Sequence, residues 1–407
     1  MKLILFTAAA AAILSASSSS AQEADVFRLM NEAVSSTPVT TIARAEMQRS
    51  QAASNQLLNG PYEYEVSGSG GYRRVEDPLL PDMGFTEWSI DLTRTFRLPE
   101  KRNLDASLAD LETEIADARD ASRRFEEELI FLSLWNEWAR WTMLERVSRE
   151  IADASSELAE LEQAKVDAGT GRQIDADLLM AEASNFSLRA REDLSRAQMA
   201  RNQLLQRYPS LNLPVAPPEI QISSSDITLI LAARTDYDRM TRTASLEAQR
   251  AQTQALRANA DLTPDPTFGI GLRSDFGGDE TALVFSFSMP LSGQFRRSSA
   301  EQAGAQARLA EAQRSDLTWR LEQIVATARN TLQQSDVLLS GAIENETVIE
   351  NALVRLEAGY ELGDIRIDEL INVRRRLIDA SRSTAEQRAA RQAAYLELLE
   401  LTGEATP

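Results

Sequence analysis

The chain has 407 residues and a formal net charge of −19, and it contains neither cysteine nor histidine. This composition excludes a Ser-His-Asp triad, a cysteine nucleophile and a zinc site held by histidine or cysteine. The acidic balance argues against a nucleic-acid partner, because phosphate backbones attract basic surfaces.

The first 21 residues have the pattern of an export signal. Lys2 supplies a positive start, residues 3–14 form an apolar run, and residues 19–21 are small. The run is too short to span a bilayer, and no other segment is long and apolar enough to be a transmembrane helix. Residues 1–21 are therefore predicted to be a signal peptide that is removed on export.

The remaining chain repeats one order of elements twice. Residues 22–208 and 226–407 each read as a helix, a β-hairpin, a long helix, a turn containing glycine and a returning helix, and residues 209–225 form a proline-rich connector. The hairpins are predicted at 62–97, with a loop at 73–84 that is rich in proline and acidic residues, and at 266–289. The helices are predicted at 25–59 with a break near residue 37, and at 99–169, 175–207, 226–261, 290–363 and 368–401.

The long helices show a coiled-coil pattern. Their apolar residues recur in alternating steps of three and four, with a change of phase at Trp135, Trp138 and Trp141. A helix of about 70 residues is roughly 100 Å long, which no globular core requires. The predicted seam includes Leu108, Leu111, Ile115, Leu158 and Leu161 in the first helix, and Leu317, Leu321, Ile324 and Ala328 in the second.

The hairpins alternate apolar and polar residues with a period of two. Each strand has about ten residues, which is long enough to cross a bilayer when it is tilted. The apolar positions are predicted to face lipid: Trp88, Ile90, Leu92, Phe268, Ile270, Leu272, Leu283, Phe285 and Phe287. The polar positions between them are predicted to face water.

Four amphipathic strands cannot close a barrel, and open strand edges are not tolerated in lipid. The predicted fold is therefore mainly α with a β-barrel portion, in which three protomers contribute four strands each to a barrel of about twelve. The long helices are predicted to continue this wall as a coiled-coil barrel.

Several stretches resemble one known family. Residues 263–269 and 288–291 flank the second hairpin, and residues 360–371 read Tyr-Glu-Leu-Gly-Asp-Ile-Arg-Ile-Asp-Glu-Leu-Ile. In this order, over nearly the whole mature chain, they resemble the TolC-like outer-membrane efflux proteins of Gram-negative bacteria. Residues 95–102 resemble the heavy-metal efflux subgroup. The resemblance implies a homotrimeric channel-tunnel in the outer membrane that extends into the periplasm and docks onto a periplasmic adaptor and an inner-membrane pump.

The family closes its periplasmic end with a ring of acidic side chains after the second glycine turn. Matched from that turn, Glu369 takes the first acidic position, Asn372 stands where the second is expected, and Asp368 is a further candidate. The alternative that these acids only cap the last helix stays open. Arg374, Arg375 and Arg376 could pair with acids of neighbouring helices or be ordinary solvated charge.

The two glycine turns are the predicted contact with the adaptor, because only there do paired long helices expose their ends. The residues concerned are Gly169, Thr170, Gly171, Gly363 and Asp364.

The predicted function is a passive export conduit for small molecules or metal ions. Two alternatives remain: the outer-membrane component of a protein secretion system, and a structural coiled-coil protein of the periplasm, which would leave the amphipathic strands without a purpose. No local constellation of acids suggests a hydrolase, and no enzyme activity, cofactor or bound metal is predicted.

Overall fold

The computed structural model describes residues 16–75, 83–235, 237–362 and 364–403. Most of the predicted signal peptide (residues 1–15) and Gly363 lie outside the described residues. The helices are α1 (Ala16–Ser35), α2 (Val39–Asn59), α3 (Pro99–Asp167), α4 (Gln173–Arg207), α5 (Ser224–Ala232), α6 (Tyr237–Ala260), α7 (Gln294–Glu361) and α8 (Ile367–Thr402). Every helix in these ranges is too short or too polar to cross a membrane.

The strands form one antiparallel sheet in the order β1-β2-β3-β4, with β1 at Tyr64–Val75, β2 at Met83–Thr95, β3 at Thr267–Asp275 and β4 at Glu280–Ser288. Both predicted hairpins are confirmed, and β2 also pairs with β3. The prediction of a loop at residues 73–84 is wrong at both ends. There the strands continue because Val75 pairs with Met83, and because Arg73 forms an ion pair of 3.0 Å with Glu87.

The chain divides into two compact units, each assembled from separate segments. The sheet unit comprises residues 41–122 and 238–319, and the helical unit comprises residues 1–40, 123–237 and 320–407. Each unit draws on both predicted repeats, whose boundaries stay a prediction.

In the helical unit, α3 runs without a break through its tryptophan-rich stretch. Phe131 stacks on Trp135 with ring centroids 5.8 Å apart, and Trp138 meets Trp135 edge to face at 5.2 Å. Tyr208, just after α4, packs against Phe131 at 5.7 Å. The large buried aromatic side chains therefore anchor the middle of α3 to the end of α4.

The predicted seam is correct over much of α3 but wrong at one position in α3 and one in α7. Leu161 is 55% exposed and Ile324 is 47% exposed, whereas Glu162 and Val325 beside them are buried. In α7 the buried stripe instead runs through Val325, Ala328, Leu332, Ser335 and Leu339, again in steps of three and four.

The single helix predicted at 226–261 is two helices, α5 and α6. Ser223 and Asp226 form a capping box at the start of α5, which ends where Ala233 turns extended (φ −60°, ψ 141°). The guanidinium of Arg329 donates to the Ala233 carbonyl at 2.7 Å and to Thr235 Oγ1 at 3.3 Å. This partner from α7 satisfies the carbonyl that the helix break releases.

The second long helix begins at Gln294 rather than at Pro290. Ser292 Oγ donates to the Leu262 carbonyl, and Arg296 donates to the Asp261 carbonyl at 2.7 Å. These bonds hold residues 289–293 against the end of α6, so the helix starts one turn later than the proline suggests.

Candidate functional site

The sheet has one apolar and one polar face. The strand register aligns apolar residues in rows across all four strands, as in the row Val66, Leu92, Ile270 and Phe285. All nine predicted lipid-facing residues lie on this face and are exposed in the single chain: Trp88, Ile90, Leu92, Phe268, Ile270, Leu272, Leu283, Phe285 and Phe287. Exposure of so continuous an apolar surface to water is unfavourable. This face is therefore expected to contact another apolar environment.

Arg94 interrupts this apolar face at the helix-proximal end of β2. Its guanidinium lies 4.7 Å from the ring centroid of Tyr64 and 5.8 Å from that of Phe96, and Phe96 packs edge to face on Phe268 at 5.6 Å. Aromatic side chains beside a basic group are typical of the boundary between hydrocarbon and water.

A buried ionic cluster joins the end of β2 to the start of β3. Arg97 binds Asp105 at 2.8 Å, Asp261 at 2.7 Å and Asp265 at 3.1 Å, and Lys101 binds Asp265 at 3.0 Å. The Arg97 and Lys101 side chains are 7% and 2% exposed. The cluster thus holds the strand–helix connections of both hairpins together.

Two groups in the cluster have shifted pKa values. Burial opposes the charged form of Asp265, but hydrogen bonds from Lys101, the Leu98 amide and Arg97 outweigh it and hold the pKa below its ordinary value of 3.8. Burial likewise opposes the Arg97 charge, while hydrogen bonds to Asp105, Asp265 and Asp261 raise its pKa. Asp265 and Arg97 therefore both stay charged near neutral pH.

In the helical unit, the first glycine turn closes α3. Gly169 has a left-handed backbone (φ +75°), and the amides of Thr170 and Gly171 both donate to the Lys165 carbonyl at 2.9 Å. Thr170 and Asp364 are exposed, and the Asp364 amide donates to the Gly359 carbonyl at 3.0 Å. Gly363, a predicted tip residue, lies outside the described residues.

The end of α7 is tied to α3 by Tyr360. Burial, the negative charge of Glu162 and a hydrogen bond to Glu162 raise the pKa of Tyr360 to about 12. Glu162 is buried and also binds Lys165 at 2.9 Å, and the Lys165 ammonium lies 5.3 Å from the Tyr360 ring centroid. Glu162 therefore has partners that explain why it, and not Leu161, is buried.

The two predicted gate acids lie in the first turn of α8 and are exposed. Asp368 pairs with Arg366 at 2.9 Å, whereas Glu369 forms no ion pair within the described part of the chain. Below them, Leu370 and Ile371 pack into an apolar cluster with Leu179, and this cluster fixes the start of α8.

Two of the three arginines that follow pair with acids of neighbouring helices, as one of the two interpretations expected. Arg374 binds Glu357 of α7 at 2.6 Å, and Arg375 binds Glu182 of α4 through two hydrogen bonds of 2.6 Å. Glu357 and Glu182 could not be predicted as partners from the sequence, because nothing in their local sequence distinguishes them from other helical acids.

Comparison with solved structures places this architecture among outer-membrane channels. The outer-membrane channel OprN is 14% identical with a TM-score of 0.74, over 94% of this chain and 91% of OprN. VceC, an outer membrane protein of Vibrio cholerae, is 18% identical with a TM-score of 0.71, over 94% and 96%. The open state of the MtrE outer membrane channel of Neisseria gonorrhoeae is 14% identical with a TM-score of 0.64, over 93% and 88%.

The fold is thus that of outer-membrane channel proteins. It is also the fold that the resemblance to the TolC-like proteins implies, so that expectation is confirmed. No protein-family model and no curated protein matches the sequence.

Proposed function

We propose that this protein is the outer-membrane conduit of a tripartite efflux system. The observation that carries this proposal is the sheet, whose nine exposed apolar side chains share one face while mainly polar residues occupy the other. Lipid on one side and water on the other is the environment that such a sheet requires. The proposed conduit is passive and needs no chemical step.

The proposed assembly is a homotrimer. Within the described part of one chain, β1 and β4 each have an edge that no other strand pairs, and backbone groups of an open edge find no hydrogen-bond partner in lipid. Three copies would pair these edges and close a barrel of about twelve strands, wide enough for water. The resemblance to the TolC-like family adds a periplasmic adaptor and an inner-membrane pump as partners, and residues 95–102 favour heavy-metal export.

Native mass spectrometry in detergent should therefore show three protomers, and the purified protein in planar bilayers should conduct ions. A closed, non-conducting monomer would contradict the proposal. Protein recovered only as soluble periplasmic material would favour the structural coiled-coil alternative. The neighbouring genes would distinguish efflux from protein secretion. A gene for a resistance-type pump would favour efflux, and a gene for a protease-exporting transporter would favour secretion.

The turns at residues 168–172 and 362–366 are the proposed contact with the adaptor. Thr170 and Asp364 are exposed beside the ends of two long helices. Photocrosslinkers at Thr170 and Asp364 should trap the adaptor in whole cells. The matched control is Val215, a fully exposed residue in the connector, which should trap none. Crosslinks from Val215 alone would move the contact to the connector.

Glu369 is the proposed acidic gate residue. In a trimer its carboxylate would be repeated around the axis, and an unpaired carboxylate is free to bind a multivalent cation. Glu369→Ala should therefore weaken block by divalent or trivalent cations in bilayer recordings.

Asp368→Ala is the matched control for this prediction. It should have the smaller effect, since Arg366 already neutralises Asp368. The resting channel need not open in either variant, because Tyr360, Arg374 and Arg375 keep their partners. If Glu369→Ala keeps the cation sensitivity of the parent protein, Glu369 is not a gate residue and only forms part of the start of α8.

A further inference from the structure

The polar face of the sheet carries an excess of negative charge. This face is defined by the residues that alternate with the apolar rows. Its ionisable groups are five carboxylates and two guanidinium groups: Glu65, Glu87, Asp91, Asp275, Glu280, Arg73 and Arg273.

The two arginines neutralise two of these acids at the turn end of the sheet. Arg73 binds Glu87 at 3.0 Å, and Arg273 binds Asp275 at 3.0 Å. Within the described residues, the remaining carboxylates form no ion pair; they are Glu65, Asp91 and Glu280. The uncompensated charge on this face is therefore entirely negative.

Asp91 differs from the other two because it lies in the middle of a central strand. Its row across the sheet contains Ser67, Gly271 and Val284. Ser89 Oγ donates to Asp91 Oδ2 at 3.1 Å, and a Cβ built on Gly271 would lie 2.0 Å from Asp91 Oδ1. The carboxylate thus lies across a glycine, and no neighbouring side chain in its row is long enough to cover it.

We propose that Asp91 sets a preference for cations in the strand-lined part of the conduit. The inference rests on the proposed function, because it requires the polar face to line a water-filled passage. In a trimer three such carboxylates share one level, enclosed by a low-dielectric wall that strengthens their field. A ring of acids of this kind attracts cations and repels anions. This level lies in the sheet unit and is separate in the chain from the proposed gate in α8.

The test uses the absence of native cysteine. Ser67→Cys places a thiol in the Asp91 row on the polar face, and Val66→Cys places one on the apolar face one residue away. Protein reconstituted in vesicles is treated with a trimethylammonium-ethyl or a sulfonato-ethyl methanethiosulfonate. The ratio of the two reaction rates reports the local potential, whether or not the far end of the conduit is open.

We expect the thiol of Ser67→Cys to react faster with the cationic reagent. Adding Asp91→Asn should lower the cation-to-anion rate ratio by about threefold or more at low salt, and Asp91→Glu should keep it high. The difference should shrink in about 1 M salt, where the screening length is about 3 Å. A ratio that Asp91→Asn leaves unchanged at low salt would overturn the inference.

The cysteine on the apolar face separates this failure from failure of the proposed function. If the sheet lines a conduit in a membrane, Val66→Cys should be protected by lipid while Ser67→Cys is labelled. If Val66→Cys is labelled as fast as Ser67→Cys, the membrane assignment is wrong, and the inference about Asp91 falls with it. If only Ser67→Cys is labelled and Asp91→Asn does not change its rate ratio, the proposed conduit is supported. The inference about Asp91 is then wrong, and any charge preference arises elsewhere.

Discussion

Replacement of Asp265 by alanine should lower the free energy of unfolding by about 3 kcal/mol, near the lower end of what a broken buried ion pair costs. Asp265 accepts hydrogen bonds from Arg97, Lys101 and the Leu98 amide. Its removal takes one partner from each of two buried cations and leaves the Leu98 amide unpaired. Asp105 and Asp261 still bind Arg97, and Asp261 still binds Lys101 at 3.2 Å, so the loss is not the maximum. Chemical denaturation followed by circular dichroism measures the change.

The matched control is Glu311→Ala in the same unit. Glu311 binds Arg314 at 2.6 Å, which is shorter than any contact of Asp265, but the two side chains are 54% and 40% exposed. Solvent screens such a pair, so its loss should leave the melting temperature unchanged. Equal effects from Asp265→Ala and Glu311→Ala would show that burial of the cluster contributes nothing.

The stability that Asp265 contributes should also depend on pH in a defined direction. Its pKa in the folded protein lies below the ordinary value of 3.8, so the unfolded chain takes up the proton first as the pH falls. The contribution is complete above the unfolded pKa and is lost as the pH drops through the lower folded value. The difference in melting temperature between parent and Asp265→Ala should hold near neutral pH and shrink below about pH 4.

The two faces of the sheet were predictable from the sequence because they follow from a local rule. Side chains alternate along a strand, so residues such as Ile90, Asp91 and Leu92 are assigned to faces without knowing what pairs with the strand. The long helices were predictable for a similar reason, since steps of three and four recur within a few turns. Local periodicity thus accounts for most of the fold.

The ionic cluster was not predictable, because its members are far apart in sequence. Arg97 and Asp265 are separated by 168 positions, and residues 263–266 read locally as a helix stop. The break between α5 and α6 was not predictable for the same reason. No glycine or proline marks it, and its carbonyl is satisfied by Arg329, 96 positions away. Features that depend on one distant partner produce no periodic pattern in the sequence, so they cannot be predicted from local periodicity.

The second large effect is expected on the apolar face of the sheet. Phe285→Arg should destabilise the membrane-inserted assembly by about 2–4 kcal/mol. Phe285 is 76% exposed in the single chain and pairs with Ile270 in the row that includes Leu92. If this face contacts lipid near the middle of the bilayer, the guanidinium must leave water for hydrocarbon. Unfolding titrations in lipid vesicles measure the free energy, and the yield of detergent-resistant trimer measures assembly.

Ser286→Arg is the matched control, because it introduces arginine in the same strand, one position away, on the opposite face of the sheet. Ser286 is also exposed, and it pairs with Gly269 among the polar positions. An arginine there would remain in water, so its cost should stay within about 0.5 kcal/mol. Any loss of strand propensity is common to both variants and cancels in the comparison. If Phe285→Arg is tolerated as well as Ser286→Arg, the apolar face does not contact lipid. If Ser286→Arg is the more damaging, the two faces are assigned the wrong way round.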